Sequence, residues 1–522
     1  MFKKLTQNEI ICHLQLPIFR IIQEEADALD RECYVVGGFV RDLFIDRPSK
    51  DIDCVTVGSG IELAQRVAKR LNEQPSDRKG QKAHLSIFRN FGTAQVKYFS
   101  RKHGLMEIEF VGARKESYSH DSRKPVVEDG TLEDDQNRRD LTINDMAICL
   151  NSQRFGELID PFGGMQDLEA GLIRTPLDPD ITFSDDPLRM LRAIRFACRF
   201  DFKIVPETFE AIARNRERIK IISAERIIEE LNKIMLCDKP STGWAQLQRC
   251  GLLQIILPEL QALSGIETKE GRGHKDNFVH TITVLDNVVR AQAEKEKQEA
   301  AQPKEQSEGK DKESNAAPQF DKRLYLRWAA LMHDLGKARA KAWDDKIGWT
   351  FHNHDYLGER MVPGIFRRLK LPLGAEEKFV QKMVRMHMRP INLAEDGITD
   401  SAIRRVLFEA GDDIDELMTL CEADITSKIA EKVRRFLDNF KIVRQKMAEI
   451  QAKDDYRNWT PPIDGIEIMK RYGLTPSKPV GILREAQKDA ILDGECDNTR
   501  EAALAFLDKT AAEMGLTVVN KG

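Results

Sequence analysis

Three groups of residues in this chain have types and spacings suited to chemistry. The first lies in VVGGFVRDLFIDRPSKDIDCVTV, residues 35–57. Asp51 and Asp53 alternate there with apolar residues, so on a strand both carboxylates face one side. Carboxylates paired in this way can hold two Mg2+ ions, which in-line phosphoryl or nucleotidyl transfer uses at the attacking hydroxyl and at the leaving pyrophosphate. Gly37 and Gly38 sit between an apolar strand and a helical pattern, where the lack of side chains lets backbone N–H groups approach a phosphate. Arg41 follows one turn later and suits phosphate oxygens. A lone D-x-D is usually a solvated surface pair; a glycine pair, then R-D, then D-I-D is far more specific. The second group is NRRDLTINDMAI, 137–148, with DDPLRMLRAIRFACRF, 185–200. Asp186 and Arg189 stand three apart and Arg192 follows, so one helical face would carry an acceptor beside a fork of donors. An intrahelical ion pair is the plainer reading of that spacing. The third group is histidine: six of the ten fall between residues 274 and 387 (His274, His280, His333, His352, His354 and His387). His333-Asp334, at the end of the apolar helix in LMHDLGKAR, can ligate one metal together.

These residues need elements to carry them. At 522 residues the chain is too long for one ordinary domain. The pattern predicts an amphipathic helix to about residue 30, then strands at 34–38, 51–57, 84–88, 94–98 and 106–112, with a helix over 60–73. That is a small α/β sheet domain. From Pro161 onward the periodicity is almost wholly helical, punctuated by Pro240 and Pro258. Residues 291–319, AQAEKEKQEAAQPKEQSEGKDKESNAAPQ, read as a disordered insertion. Helical periodicity resumes at Leu324, and a proline break at 459–462 precedes a last helical segment. No apolar run approaches a membrane span. Nine scattered cysteines without a C-x-x-C pair fit a reducing, cytoplasmic setting, each read as a buried apolar side chain. A net charge of -4 argues mildly against a general nucleic-acid binder but leaves room for local basic patches.

GGFVRDLFIDRPSKDID resembles the signature of class II tRNA nucleotidyltransferases and bacterial poly(A) polymerases, within the polymerase-beta-like superfamily. The resemblance implies Asp51 and Asp53 as Mg2+ ligands, with Gly37, Gly38 and Arg41 at the triphosphate. It implies a third acidic residue, Glu109, although Glu107 shares its strand face and both could be exposed edge residues. NRRDLTINDMAI resembles the segment that binds sugar and triphosphate and implies Arg139, Asp140 and Asn144 there. Asp145 stands where that family carries a small residue, and Asp135 matches an acidic position. DDPLRMLRAIRF resembles the base-selecting motif, implying that Asp186 and Arg189, with Arg192, read the Watson–Crick edge of cytosine or adenine. Glu225 and Arg226 match a last motif and read as helix braces. In the second half, the order of His280, His333-Asp334 and Asp424 resembles the HD phosphohydrolases. It implies these four as ligands of a divalent transition metal, with His354 and His387 completing a second site or holding phosphate, and Lys337 meeting a substrate phosphate. DGIEIMKRYGLTPSKPVGILREAQKDAIL, 464–492, resembles tail helices that hold tRNA, where Lys470, Arg471 and Lys478 are candidate phosphate contacts.

The expected fold is therefore an α+β nucleotidyltransferase domain over 1–160 followed by all-α domains. These comprise a nucleotide-selecting domain over 161–262, an HD domain over 263–450 and a tRNA-binding tail over 451–522. The expected activity is template-independent addition of CCA to tRNA from CTP and ATP, with phosphoester hydrolysis in the HD domain. Expected partners are tRNA, ATP and CTP, with no membrane and no DNA. Poly(A) addition, partial CC or A addition, and an HD hydrolase with an inactive transferase are the alternatives. The stretch between Arg114 and Asp140 keeps Tyr118, Arg123 and Pro125, and by family analogy a full-length flexible loop there favours complete CCA addition.

Overall fold

The computed structural model describes residues 2–49, 51–73, 82–100, 104–119, 122–301, 320–395, 399–427, 429–453 and 459–520. These form two compact units, Met1–Ile256 and Leu257–Gly522.

In the first unit the apolar runs become a seven-stranded sheet. Its strands are β1 (Cys33–Val36), β2 (Asp51–Thr56), β3 (His84–Phe88), β4 (Thr93–Ser100), β5 (Gly104–Gly112), β6 (Ala147–Cys149) and β7 (Leu158–Ile159), in the order β3-β4-β5-β2-β1-β6-β7. Only β2 and β5 run parallel, with Asp51 opposite Glu107 and Asp53 opposite Glu109. All four residues of β1 are buried, which makes it the sheet's anchor. Helix Gly60–Glu73 covers one face through Leu63, Ala64, Val67 and Ala68, an apolar stripe of helical period. Its first residue has to be glycine, because a Cβ on Gly60 would lie 2.7 Å from the Val111 carbonyl carbon.

Two local expectations change here. The N-terminal helix is two helices, Gln7–His13 and Pro17–Ala28. Thr6 and Glu9 close a capping box on the first, and Pro17 can only begin the second. The stretch expected to be a flexible loop holds two paired strands, Arg114–Ser119 and Ser122–Asp129, and helix α2 (Leu132–Asn137). Helix α1 (Gly38–Phe44) leaves the sheet after β1. The helical part of this unit includes α3 (Leu188–Phe200) and α4 (Ala224–Met235).

Among its described residues the second unit is helical apart from two small hairpins. Its site is framed by α5 (Asn277–Ala301), α6 (Lys322–Met332), α7 (His354–Leu369), α8 (Ala375–Met386) and α9 (Ile414–Asp424). Residues 291–301, expected to be disordered, continue α5 because Ala, Gln, Glu and Lys are strong helix formers. The rest of that expected insertion, 302–319, lies outside the described residues. Three tail helices close around Ile463, Ile468, Tyr472, Leu483 and Leu507. Arg471 is engaged by Asp508 through two nitrogens at 2.8 and 2.6 Å, while Lys470 and Lys478 stay exposed. Among the described residues no helix is long and apolar enough to cross a membrane. Eight cysteines are buried as expected; Cys12 is exposed.

Candidate functional sites

The strand-to-helix turn after β1 starts the first site. Gly37 has φ 70° and ψ -130°, a conformation that side-chain-bearing residues rarely adopt. A Cβ there would lie in van der Waals contact with Arg139 Nη1 at 3.4 Å and Asp53 Oδ2 at 3.7 Å. The turn thus brings a guanidinium and a carboxylate against bare backbone. Around it opens a cleft of about 640 Å³. Gly37, Gly38, Arg41, Asp51, Asp53, Arg139, Asp140, Asn144, Asp186, Arg189 and Arg192 all line it, so eleven residues singled out by type and motif meet in one place. Eight arginines and five aspartates line the cleft, a surplus of positive charge suited to a polyphosphate.

Asp51 and Asp53 lie side by side on the cleft-facing side of β2. Burial lifts the Asp53 carboxyl above its ordinary range, opposed by Arg139 and reinforced by Asp51. Glu109 is lifted too, by burial and then by the Asp53 charge, with Arg114 opposing. Glu109 does not line the cleft, yet it is Asp53's direct neighbour across the parallel pair. Glu107 is already engaged by Lys97 at 2.9 Å and Gln95 at 3.2 Å. The partners separate two glutamates that strand alternation alone leaves equivalent. Asp53 and Glu109, lifted first by burial and then by neighbouring acid charge, stand with Asp51 as oxygen donors that fit a hard divalent cation.

A connected network aims the cations. Arg41 is buried, holds Asp42 at 2.8 Å and donates through Nη1 to Asn144 Oδ1 at 2.5 Å. Asn144 Nδ2 donates to Asp140 at 3.2 Å, and Asp140 accepts from Arg192 at 2.6 Å. Burial alone would raise the Asp140 carboxyl, but Arg192 and the Asn144 amide outweigh it and hold it down at about 2. Beneath this chain, fully buried Asp135 accepts from both Arg138 and Arg139. Asp135 is thus the seat of the arginine pair.

The base-selecting pair is arranged differently from the expectation of one helical face. Asp186 precedes α3 in an extended conformation, φ -132° and ψ 101°, because Pro187 disfavours the helical region for the residue before it. Asp186 accepts from Arg226 at 3.2 Å and caps Leu188 N at 3.1 Å. Arg189 donates instead to the carbonyls of Arg138 at 2.6 Å and Thr182 at 3.3 Å. The two therefore form no ion pair with each other, and both face the cleft. Sequence reasoning missed Arg195, Arg199 and Phe196 in the lining and gave Arg226 only a bracing role. A signal existed: Arg189, Arg192, Arg195 and Arg199 recur at helical spacing along α3.

The second site is built where helices of the second unit begin or end. His280 lies in the first turn of α5, His333 and Asp334 follow α6, His354 opens α7, His387 follows α8 and Asp424 closes α9. Each of the four imidazoles has Nδ1 fixed: His333 on Ala330 O at 2.8 Å, His354 on Phe351 O at 2.8 Å, His387 on Val384 O at 2.7 Å and His280 on Thr426 Oγ1 at 2.8 Å. For His333, His354 and His387 the Nδ1–H facing a carbonyl leaves Nε2 as a lone pair, and these lone pairs converge. His280, His333 and Asp424 form one ligand group, and Asp334, His354 and His387 form another. Asp334 lies between them: Oδ2 is 3.3 Å from His333 Nε2 and 3.4 Å from His280 Nε2, while Oδ1 is 3.4 Å from His354 Nε2. Lone pairs set against carboxylate oxygens in a buried space call for a cation. Imidazole with carboxylate suits a divalent transition metal. Lys337, expected to meet phosphate, holds Asp334 at 2.6 Å.

Comparison with known proteins comes to the same regions. The family described as Poly A polymerase head domain matches residues 33–174, the one described as Probable RNA and SrmB-binding site of polymerase A matches 201–263, and HD domain matches 278–429. The chain is 31% identical over 389 residues to the A-adding tRNA nucleotidyltransferase of Deinococcus radiodurans, covering 73% of this chain and 80% of that one. It is 33% identical over 346 residues to the multifunctional CCA protein of Chromobacterium violaceum, covering 65% and 70%. Among solved structures, an apo CCA-adding enzyme superposes with a TM-score of 0.61 at 22% identity, covering 97% of this chain and 98% of that one. The Thermotoga maritima CCA-adding enzyme complexed with tRNA gives 0.57 at 21% identity, over 97% and 99%. At these identities the superpositions speak to the fold.

Proposed function

This chain belongs to the tRNA nucleotidyltransferase family, and from that premise we propose that it adds C, C and A to the 3′ end of tRNA from CTP and ATP. One observation carries the reading: Asp51 and Asp53 stand beside the Gly37 turn in the cleft that also gathers eight arginines. In this reading Gly37, Gly38 and Arg41 hold the triphosphate, helped by Arg139. The Asp140–Asn144 pair fixes Arg41 and Arg192 in place. Asp186 and Arg189 present an acceptor and donors to the base edge. Asp51 and Asp53, with Glu109 alongside, hold Mg2+, which when bound activates the attacking hydroxyl and steadies the leaving pyrophosphate. In the second unit His280, His333, Asp334 and Asp424 hold a transition metal, His354 and His387 a second, and a phosphoester is the substrate class. The proposed division is 1–160 for transfer, 161–262 for base selection, 263–450 for the HD domain and 451–522 for tRNA contact through the tail. The head and HD matches lie mainly within the first and third of these segments, which supports the division. A cytoplasmic location accords with nine unpaired cysteines.

A second reading, addition of A alone, draws support from the A-adding relative. Incubation with Mg2+ and tRNA lacking its 3′ end, with CTP and ATP separately and together, decides between them. Two C followed by one A, then arrest, is the expected result. A single A added only to tRNA ending in CC would establish the second reading. A long A ladder would mean poly(A) synthesis, and no addition at all would overturn the proposal.

A further inference from the structure

Asp145 is the most anomalous side chain beside the cleft. It is 1% exposed, and neither carboxyl oxygen has a hydrogen-bond partner among the described residues. The segment that carries it touches the cleft three times. Asn144 Oδ1 accepts from Arg41, Asn144 O accepts from Arg139 at 3.2 Å, and Met146 O accepts from Gly37 N at 3.3 Å. Asp145 Oδ1 itself lies 3.9 Å from Arg139 Nε. A buried carboxylate beside a guanidinium would ordinarily be its ion-pair partner, but Asp135 already takes Arg139 Nε and Nη2, at 3.1 and 2.8 Å. Asp145 is thus a second acid beside a cation that already shares Asp135 with Arg138.

We infer that Asp145 is a positioning residue for nucleotide binding: standing behind Arg139, its carboxyl sets how much of that guanidinium's charge faces the cleft. The inference rests on the reading of the cleft as a nucleotide site. The charged groups that face Asp145 are Arg139, Asp135, Asp160 and Asp140, one cation among three acids. Burial first, and then these acids against the pull of Arg139, push its carboxyl up to about 8. A neutral Asp145 leaves Arg139 facing Asp135, which it shares with Arg138, and the Asp53 charge in the cleft. An ionised Asp145 adds an unpaired negative charge directly behind Arg139, and the triphosphate then meets a weaker cation. A wholly structural acid would affect folding and leave nucleotide affinity untouched.

The test is the KM for CTP and ATP, with kcat, from pH 6.5 to 9.5 in the full-length wild type, Asp145→Asn and Asp145→Ala. The wild-type nucleotide KM should rise about tenfold between pH 7 and 9, the scale of one added charge screened through protein, with kcat not following. That rise should be absent from both variants; if one fails to fold, the other carries the comparison. Parallel KM profiles in wild type and variant would overturn the inference. Equilibrium binding of CTP and ATP to the wild type at pH 7 separates the two readings. Binding with parallel pH profiles defeats only the role of Asp145, whereas no binding of either nucleotide defeats the cleft reading and this inference with it.

Discussion

Asp140 joins the two halves of the cleft, so replacing it with Asn should weaken folding and nucleotide binding together. The change keeps the shape and removes the charge that Arg192 meets at 2.6 Å. The folded carboxyl is held near 2, against an ordinary value of 3.8. That difference corresponds to roughly 2–3 kcal/mol of stability at neutral pH. The folded value lies below the unfolded one, so this stability is fully present above about pH 4 and is lost as pH falls through about 2. For a unit of this size roughly 2–4 °C of Tm accompanies each kcal/mol, so Asp140→Asn should lower the transition of the N-terminal unit by roughly 4–12 °C. Nucleotide KM should rise as well, because Arg192 loses its anion and the one remaining amide oxygen can accept from Arg192 or from Asn144 but not from both. Calorimetry and urea unfolding of the wild type, Asp140→Asn, Arg192→Met and the double variant give the coupling. A coupling of roughly 1–3 kcal/mol is expected. Additive single effects would refute the claim that these residues act as one network.

Other outcomes follow from the same geometry. Asp53→Ala should abolish nucleotide addition and leave metal content in the second unit unchanged; surviving addition would sink the paired-carboxylate assignment. Metal analysis of the purified chain should find up to two transition-metal ions in the second unit. His354→Ala should remove about one of them and Asp334→Ala both, since Asp334 faces both ligand groups; full occupancy in Asp334→Ala would refute its bridging position. For Asp145 the folded carboxyl titrates about 8, above its ordinary 3.8, so folding at neutral pH must place a proton on it. The penalty is absent below about pH 4 and grows by about 1.4 kcal/mol per pH unit until about pH 8. Asp145→Ala should therefore gain stability on the wild type across that window, and parallel stability–pH curves would contradict it.

What was readable in the chain depended on how local each signal was. Asp51 and Asp53 declare themselves because strand alternation puts both on one face, and Gly37 because its turn requires φ > 0. The HD ligands are readable because histidines crowd together in sequence and apolar helices end on them. Residues acting through distant partners were not. Arg226 gives no sign that it reaches Asp186, whereas Asp135 stands three and four residues before Arg138 and Arg139, a helical spacing that does signal the pairing. Glu109 and Glu107 differ only in what lies on β4 and β2 beside them. Periodicity was also misread where a single residue overrules it: Pro187 breaks the helical face assumed for Asp186 and Arg189. Over 291–301, polar low complexity concealed a composition that favours helix.

Every cation among the described lining residues of the cleft is an arginine; none is lysine or histidine. Guanidinium stays charged throughout the accessible pH range, so the positive charge these arginines supply does not titrate. It also offers no amine to acetylating enzymes or to reactive acyl metabolites, which attack lysine. The described lining is therefore closed to lysine acetylation, while dicarbonyl reagents that condense with guanidinium should silence the cleft.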